Sequence, residues 1–189
     1  MDVQQQRSYE VAWRFISLWI LNEKNTAEWY TPEYRAGHFL GHKGLRIADA
    51  IRQAEDNDAV ARWYAEIGGA LHVDQRRDEA RSDHEAFLEA ILDGAGFSVG
   101  YLAAADDESH DDYLRAETEL ALSRAGDDVG TPILTFRPGT EAEGSFFGPV
   151  IPKAPKGREA VELWDAVEKL ATSGVAELKR SMRGTPDYT

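Results

Sequence analysis

The amino-acid sequence predicts an α/β protein, and three patterns support this prediction. Between residues 32 and 126, apolar side chains recur at helical spacing in several successive stretches. Two short runs that contain aromatic residues, Ile133–Phe136 and Gly144–Phe147, are separated by turn residues and predict two antiparallel strands. A helical pattern from Gly157 onward closes the chain. The predicted order is a strand, a helical block, two strands and a helix.

The first strand is predicted at residues 9–17, which alternate for most of their length and are rich in β-branched and aromatic residues. The apolar continuation to Leu21 predicts a strand end that is buried against helices. Asn22 then begins a stretch of turn chemistry.

The helical block has recognisable start and stop signals. Thr31 can cap a helix whose first turn contains Pro32. Ser82 and Glu85 have capping-box spacing, and Gly94 supplies a stop. Helices are predicted at residues 32–55, 58–71, 82–94, 101–105, 110–124 and 157–172, with a last amphipathic turn at 175–182 and a frayed end at 183–189.

Composition excludes several classes of partner and of chemistry. A length of 189 residues suits one domain, or one domain with a large insertion. A formal net charge of −13 argues against nucleic acid and anionic membranes as partners, because both bind basic surfaces preferentially. No apolar stretch approaches the roughly 18 residues of a membrane span, and we expect a cytoplasmic protein. The absence of cysteine excludes disulfides, thiolate metal sites and a cysteine nucleophile within this polypeptide.

A metal site is not predicted. His38 and His42 lie four residues apart on a predicted helix, a spacing that can hold a metal ion. No third ligand is evident, so we interpret them as an ordinary exposed pair. Phosphate loops, nucleophile elbows and paired-histidine zinc motifs are also missing from the sequence.

The pair Thr131-Pro132 opens the first strand of the hairpin. Proline lacks an N–H group and is tolerated at a strand's first residue, and a bond that precedes proline adopts the cis form most readily. We expect a cis Thr131-Pro132 bond, which would leave the preceding backbone groups exposed. An ordinary turn proline is the alternative interpretation.

Four short motifs are spread along the chain from about Tyr9 onward. They are Ser17-Leu18-Trp19-Ile20-Leu21-Asn22-Glu23, Val129-Gly130-Thr131-Pro132, Phe146-Phe147-Gly148-Pro149-Val150 and Leu163-Trp164-Asp165. In these motifs the chain resembles the thioredoxin superfamily. The resemblance is to its DsbA-like branch, and within that branch to mycothiol-dependent nitroreductases and related oxidoreductases.

The resemblance implies a thioredoxin-like fold with a large inserted helical domain. Residues 1–31 and 127–189 would form the thioredoxin-like domain and residues 32–126 the insertion. The first strand and most of the first helix of that fold would be missing, because only eight residues precede Tyr9. That strand is central in the family's sheet, so we expect residues 9–17 to pair directly with Ile133–Phe136, or a second copy in a homodimer to fill the gap.

The resemblance also implies thiol-disulfide oxidoreductase chemistry, in which a low-molecular-weight thiol such as mycothiol is the co-substrate and no cofactor is bound. Family members resemble thioredoxin in carrying a Cys-x-x-Cys pair at the start of the first helix, where the helix dipole stabilises a thiolate. Without cysteine the chain is expected to be inactive in this form, and a misassigned start codon is one explanation. The alternatives are a non-catalytic binding or assembly module, and an isomerase like the kappa-class glutathione transferases.

Five residues are candidates for substrate binding, and no catalytic residue is assigned. In proteins that this chain resembles, the residue before the cis proline offers its backbone to a substrate or thiol, which implies a role for Thr131 and Pro132. Trp19 and Asn22 follow the predicted first strand, at the edge where open α/β sheets usually bind ligands. His72 follows a predicted helix end and could face a cleft. For these last three residues, core packing, a turn cap and a helix C-terminal charge are the simpler interpretations.

Overall fold

The computed structural model describes residues 2–179, 182, 184, 186 and 187. The chain contains both helices and strands, as predicted, and helices predominate. It divides into two compact units. The helical unit is Ala12–Glu119, and the hairpin unit combines the described residues up to Val11 with those from Leu120 onward. The domain boundaries predicted at residues 31/32 and 126/127 remain a prediction, because a division into compact units does not show which parts of the chain fold independently.

The helical unit is built from helices that the sequence largely predicted. Thr31 caps the longest helix, since its hydroxyl accepts a hydrogen bond from the Tyr34 N–H. After Gly68 the chain continues into a π-helical segment, Gly69–Val73, and two short 3₁₀ segments, Val99–Asp106 and Glu108–His110, precede the helix that begins at Asp111. The α-helices of this part are α2 (Leu18–Leu21), α3 (Pro32–Ala54), α4 (Asn57–Gly68), α5 (Arg77–Ser82), α6 (His84–Gly94) and the greater part of α7 (Asp111–Ala125), which continues from Leu120 into the hairpin unit.

The core of the helical unit forms where α3 and α4 approach closely. A β-carbon on Gly44 would lie 2.9 Å from the Ile67 Cδ1 atom, so a larger residue at this position would require the Ile67 side chain to shift. The buried Trp63 indole donates a hydrogen bond to the Gly44 carbonyl at 2.9 Å. Other fully buried side chains of this core are Ile47, Ile51, Phe87, Leu88, Leu92 and Leu114.

The hairpin unit places two antiparallel strands against a helix. In the register of β1 (Ile133–Phe136) and β2 (Gly144–Phe147), Ile133 faces Phe147 and Phe136 faces Gly144. Phe136 packs with residues of α8 (Gly157–Ala171) in a small apolar cluster. The N-terminal α1 (Asp2–Gln6) also belongs to this unit, where the Arg7 guanidinium donates a hydrogen bond to Asp165 in α8 at 2.6 Å.

The prediction of a strand at residues 9–17 is wrong. The described segment 8–17 forms no ladder, and β1 pairs only with β2 in the described part of the chain, so the predicted pairing of this segment with β1 is also wrong. Side chains satisfy the segment's backbone instead: Asn57 accepts a hydrogen bond from the Trp13 N–H at 2.8 Å, and Thr118 accepts one from the Ser17 N–H at 3.0 Å. Leu18–Leu21, predicted as the buried end of that strand, is helical.

Smaller corrections concern helix ends. Asp83 caps α6, because its carboxylate accepts a hydrogen bond from the Ala86 N–H, whereas Ser82 was the predicted cap. The predicted turn at 175–182 is absent from residues 175–179 and 182, and residues 180 and 181 lie outside the described ones. The frayed end was predicted at 183–189, of which 183, 185, 188 and 189 also lie outside the described residues. Asp187 forms a bridge with Lys153. Among the described helices, none combines the length and the apolar character that a bilayer crossing requires.

We predict that Gly144→Ala destabilises the hairpin unit. A β-carbon at this position would overlap the backbone carbonyl of Ala171 at the end of α8, and neither backbone can move easily. Overpacking of this kind typically lowers the free energy of unfolding by about 1–3 kcal/mol. Urea denaturation measures the effect.

Gly130→Ala is the matched control for this substitution. Its β-carbon would lie 3.5 Å from the Phe147 ring, an ordinary van der Waals contact. We expect near wild-type stability for this variant. Equal urea midpoints for the two variants would contradict the close approach of β2 and α8.

Candidate functional site

Trp19 lies in α2, the single-turn helix at the start of the helical unit. Its ring centroid is 4.9 Å from that of Phe39 on α3. The Arg35 guanidinium carbon lies 5.4 Å from the centroid of the Trp19 ring, within the range of a cation–π contact. The indole is only partly buried, so one part of it packs and another part faces solvent.

Asn22 caps the C-terminus of α2 and forms the turn that follows. Its side-chain amide donates a hydrogen bond to the Leu18 carbonyl at 2.9 Å. Its side-chain oxygen accepts a hydrogen bond from the Asn25 amide at 2.8 Å. One polar group of Asn22 therefore binds the backbone of α2 and the other binds the Asn25 side chain, so both hold the local turn.

Four residues that follow α2 in the chain form an aromatic surface that the sequence analysis missed, and two of them are exposed. This aromatic surface consists of Trp29, Tyr30, Tyr34 and His38. Trp29 and Tyr34 are 56% and 57% exposed, and their ring centroids are 6.1 Å apart. His38 contacts both tyrosine rings, at centroid distances of 5.4 and 6.3 Å. The available signal was the density of aromatic residues, since Trp29, Tyr30, Tyr34 and Phe39 fall within eleven positions.

His72 lies elsewhere in the helical unit, within the π-helical segment after α4. Its Nδ1 atom is 2.8 Å from a terminal nitrogen of Arg77, so Nδ1 accepts and the proton of the neutral ring resides on Nε2. Desolvation lowers the pKa of His72, and the positive charge of Arg77 acts in the same direction. Short π-helical turns occur frequently at functional sites. The contact with Arg77 and the lowered pKa thus keep the His72 imidazole neutral.

Thr131 and Pro132 belong to the hairpin unit. The Thr131-Pro132 peptide bond is cis, and both residues are exposed. The Pro132 carbonyl accepts a hydrogen bond from the Gly148 N–H at 2.8 Å, which extends the hairpin by one contact. Within the helical unit the structure places Trp19 and Asn22 on one short segment, and His72 on another.

A buried polar chain links α2, α3 and α7 in the helical unit. His42 is 2% exposed, so its interpretation as part of an exposed pair with His38 is wrong. Its Nδ1 atom lies 3.0 Å from Ser17 Oγ, and its Nε2 atom lies 3.0 Å from Asp111 Oδ1. Because the Asp111 carboxylate can only accept, the neutral ring carries its proton on Nε2 and its Nδ1 accepts from the Ser17 hydroxyl. Two specific partners therefore hold this histidine inside the core.

Arg46 holds the far end of this buried polar chain. Its guanidinium donates two hydrogen bonds to the Asp111 carboxylate, both at 2.7 Å, and a third to the Ala105 carbonyl at 3.2 Å. Burial raises the pKa of Asp111, but the hydrogen bonds from Arg46 and His42 and their charges outweigh it, so the pKa lies below its usual value.

The Ser17–His42–Asp111 arrangement contains the residue types of a hydrolytic triad, but it cannot act as one. Ser17 is 1% exposed, so a substrate cannot reach its hydroxyl. The same oxygen also accepts a hydrogen bond from the Ile20 N–H at 3.2 Å and caps α2. Its geometry indicates a structural role.

A pocket of about 400 Å³ lies between α3, α6 and the first 3₁₀ segment, but none of the predicted site residues lines it. Across its rim, Lys43 and Asp106 form an ion pair at 2.7 Å. Among the residues that the structure describes, no group of three or more potential ligands could hold a metal ion.

Comparison with known proteins indicates the family. Residues 1–180 match the family described as "Rv2466c-like: Mycothiol-dependent nitroreductase Rv2466c". The chain is also 30% identical, over 181 residues, to the uncharacterized protein Rv2286c of Mycobacterium tuberculosis, and this alignment covers 95% of the chain and 72% of the relative.

We predict that stability falls as the pH drops below about 6.5, the unperturbed histidine pKa. Burial lowers the pKa of His42, Arg46 and Arg115 act in the same direction, and Asp111 offsets this only in part. His42 therefore binds a proton less readily in the folded protein than in the unfolded chain. Its stabilising contribution to the free energy of unfolding is complete above that pH and is lost below it. Urea midpoints at pH 7.5 and 5.5 measure the loss.

The control for this pH dependence is His42→Asn, which removes the titrating group and leaves the other histidines in place. We expect a smaller difference between the two midpoints for this variant. An identical difference in the wild-type protein and the variant would contradict a buried neutral His42.

Proposed function

Because the chain belongs to the Rv2466c-like family of mycothiol-dependent nitroreductases, we propose that it binds mycothiol or a similar low-molecular-weight thiol. The match over residues 1–180 is the observation that carries this proposal. It involves nearly the whole chain, so both the helical unit and the hairpin unit contribute to the likeness.

The proposed role of these 189 residues is binding rather than redox turnover. Thiol-disulfide exchange requires a thiolate that attacks a disulfide sulfur, and the sequence contains no cysteine to provide one. The sulfur of the bound ligand is then the only thiol at the site. In this form the protein holds the thiol and does not itself alternate between dithiol and disulfide states.

The aromatic surface and Trp19 are the proposed contact region in the helical unit. Mycothiol contains a sugar ring and an inositol ring, whose C–H faces can stack on aromatic side chains. Trp29 and Tyr34 present such faces to solvent, and Arg35 provides a nearby positive charge. Large, rigid aromatic side chains lose little conformational entropy on binding, which favours them as ligand contacts.

The other predicted binding residues have supporting roles in this proposal. Asn22 fixes the turn after Trp19. His72 is proposed as a further ligand contact because it lies in a π-helical segment, and such segments are frequent at functional sites. Within the hairpin unit, Thr131 and Pro132 are proposed to contact a substrate or thiol through their backbone, because the family resemblance implies it.

We also propose a thioredoxin-like fold of the DsbA type for the chain. The order of elements supports it, because a helical block is followed by the β1–β2 hairpin and then by α8. This is the order that the resemblance implies for the part of the fold after the helical insertion.

We predict that mycothiol binding depends on Tyr34. Isothermal titration calorimetry should show about tenfold weaker binding for Tyr34→Ala, which corresponds to about 1.4 kcal/mol. Tyr64→Ala is the matched control, because Tyr64 is 60% exposed and lies on α4, outside the aromatic surface. Equal losses in the two variants would exclude the aromatic surface as the contact region, and a wild-type protein without measurable binding would overturn the proposed function.

We predict no catalysis by these 189 residues. Mixed with mycothiol and a coloured disulfide, the protein should leave the reduction rate at that of mycothiol alone, because the protein supplies no attacking sulfur. Absorbance of the released thiol measures the rate. A rate that rises in proportion to protein concentration would contradict the binding role.

A further inference from the structure

We propose that His42 is a positioning residue, which fixes the short helix α2 through the Ser17 hydroxyl and thereby sets the placement of Trp19 and Asn22. The contacts within the helical unit carry this inference. Its consequence for ligand affinity rests on the proposed function.

The helix α2 needs external support because it is one turn long. A helix of four residues has almost no stability of its own, since nucleation fixes several dihedral angles for a single hydrogen bond. Support comes from Ser17 at its N-cap, whose backbone N–H donates to Thr118 and whose Oγ accepts from the Ile20 N–H. The orientation of that hydroxyl therefore decides whether the first turn is capped.

His42 determines the orientation of the Ser17 hydroxyl. The hydroxyl has one proton, and with Oγ accepting from Ile20 that proton points to Nδ1 of His42. A protonated ring would place a second donor against Oγ and leave the hydroxyl proton without an acceptor in a buried site. A hydrogen-bonding group left unsatisfied in the core destabilises the arrangement that creates it.

The ring of His42 is itself held from the opposite side. Asp111 accepts from Nε2–H and is fixed by the two-pronged contact with Arg46. The charged groups that face the ring are Asp111 and Arg115 on α7 and Arg46 on α3. Hydrogen bonds thus run without interruption from Arg46 to the first turn of α2.

The connection to the proposed binding residues is short. Trp19 lies two positions after Ser17, inside α2, and Asn22 closes the same turn. The Leu21 and Asn22 N–H groups donate to the Ser17 and Leu18 carbonyls, so they report whether the turn is formed. Loss of the cap should loosen these two amides and displace the Trp19 ring from Phe39 and Arg35.

Two substitutions at His42 separate its two hydrogen bonds. The side-chain amide of asparagine occupies the approximate position of Nδ1, so His42→Asn can keep the contact with Ser17. The amide of glutamine reaches the position of Nε2, so His42→Gln can keep the contact with Asp111 only. If His42 acts through Ser17, hydrogen exchange at the Leu21 and Asn22 amides should be about three- to tenfold faster in His42→Gln than in His42→Asn.

The serine provides the second half of the test. In the Ser17→Ala background the two His42 variants should exchange at the same rate, because the hydroxyl that distinguishes them is gone. Ser17→Thr keeps a hydroxyl and should restore the difference. Equal exchange in the two His42 variants of the otherwise wild-type protein, or a difference that survives in Ser17→Ala, would overturn the inference.

Titration with mycothiol distinguishes this inference from the proposed function. Where wild-type protein binds, His42→Gln should bind about three- to tenfold more weakly than His42→Asn. Wild-type protein that fails to bind mycothiol, together with the expected exchange rates, would refute the function and leave the positioning role standing. Normal binding with equal exchange rates would refute the positioning role alone.

Discussion

The contact between Arg46 and Asp111 is the interaction on which the arrangement of the helical unit depends. Arg46 is 5% exposed and lies in the middle of α3, and Asp111 begins α7. A buried guanidinium is tolerated only when its donors are satisfied, and here the carboxylate and the Ala105 carbonyl satisfy them. The carboxylate then orients His42. One ion pair thus fixes the register of two helices and the direction of a polar chain between them.

Helices were the part of the fold that the sequence predicted well. Their apolar stripes are long, and Thr31 and Gly94 mark ends that depend only on local chemistry. The hairpin was predicted for a similar reason, because β1 and β2 are close in sequence. The sequence did not predict features that depend on a side chain far away along the chain.

Residues 9–17 illustrate this limit. Alternating apolar residues describe an extended chain, but they do not reveal whether its N–H groups will meet another strand or single side chains. The acceptors here are Asn57 and Thr118, which are 44 and 101 positions away from the backbone groups that they bind. The burial of His42 was missed for the same reason, because only the folded chain brings Asp111 to its ring. Among the candidate site residues, the sequence indicated Trp19 but not the exposed rings of Trp29 and Tyr34.

The tryptophans give each unit its own optical signal. Trp164 is the single tryptophan outside residues 12–119, and its ring lies 5.3 Å from Tyr9 and 5.1 Å from Phe136. At that separation the tyrosine transfers its excitation to the indole efficiently, and unfolding of the hairpin unit abolishes the transfer. Trp63 is buried in the other core and Trp29 is exposed, so Trp63 should emit at shorter wavelength than Trp29. Fluorescence of the unmodified protein can therefore show whether the two units melt together or one after the other.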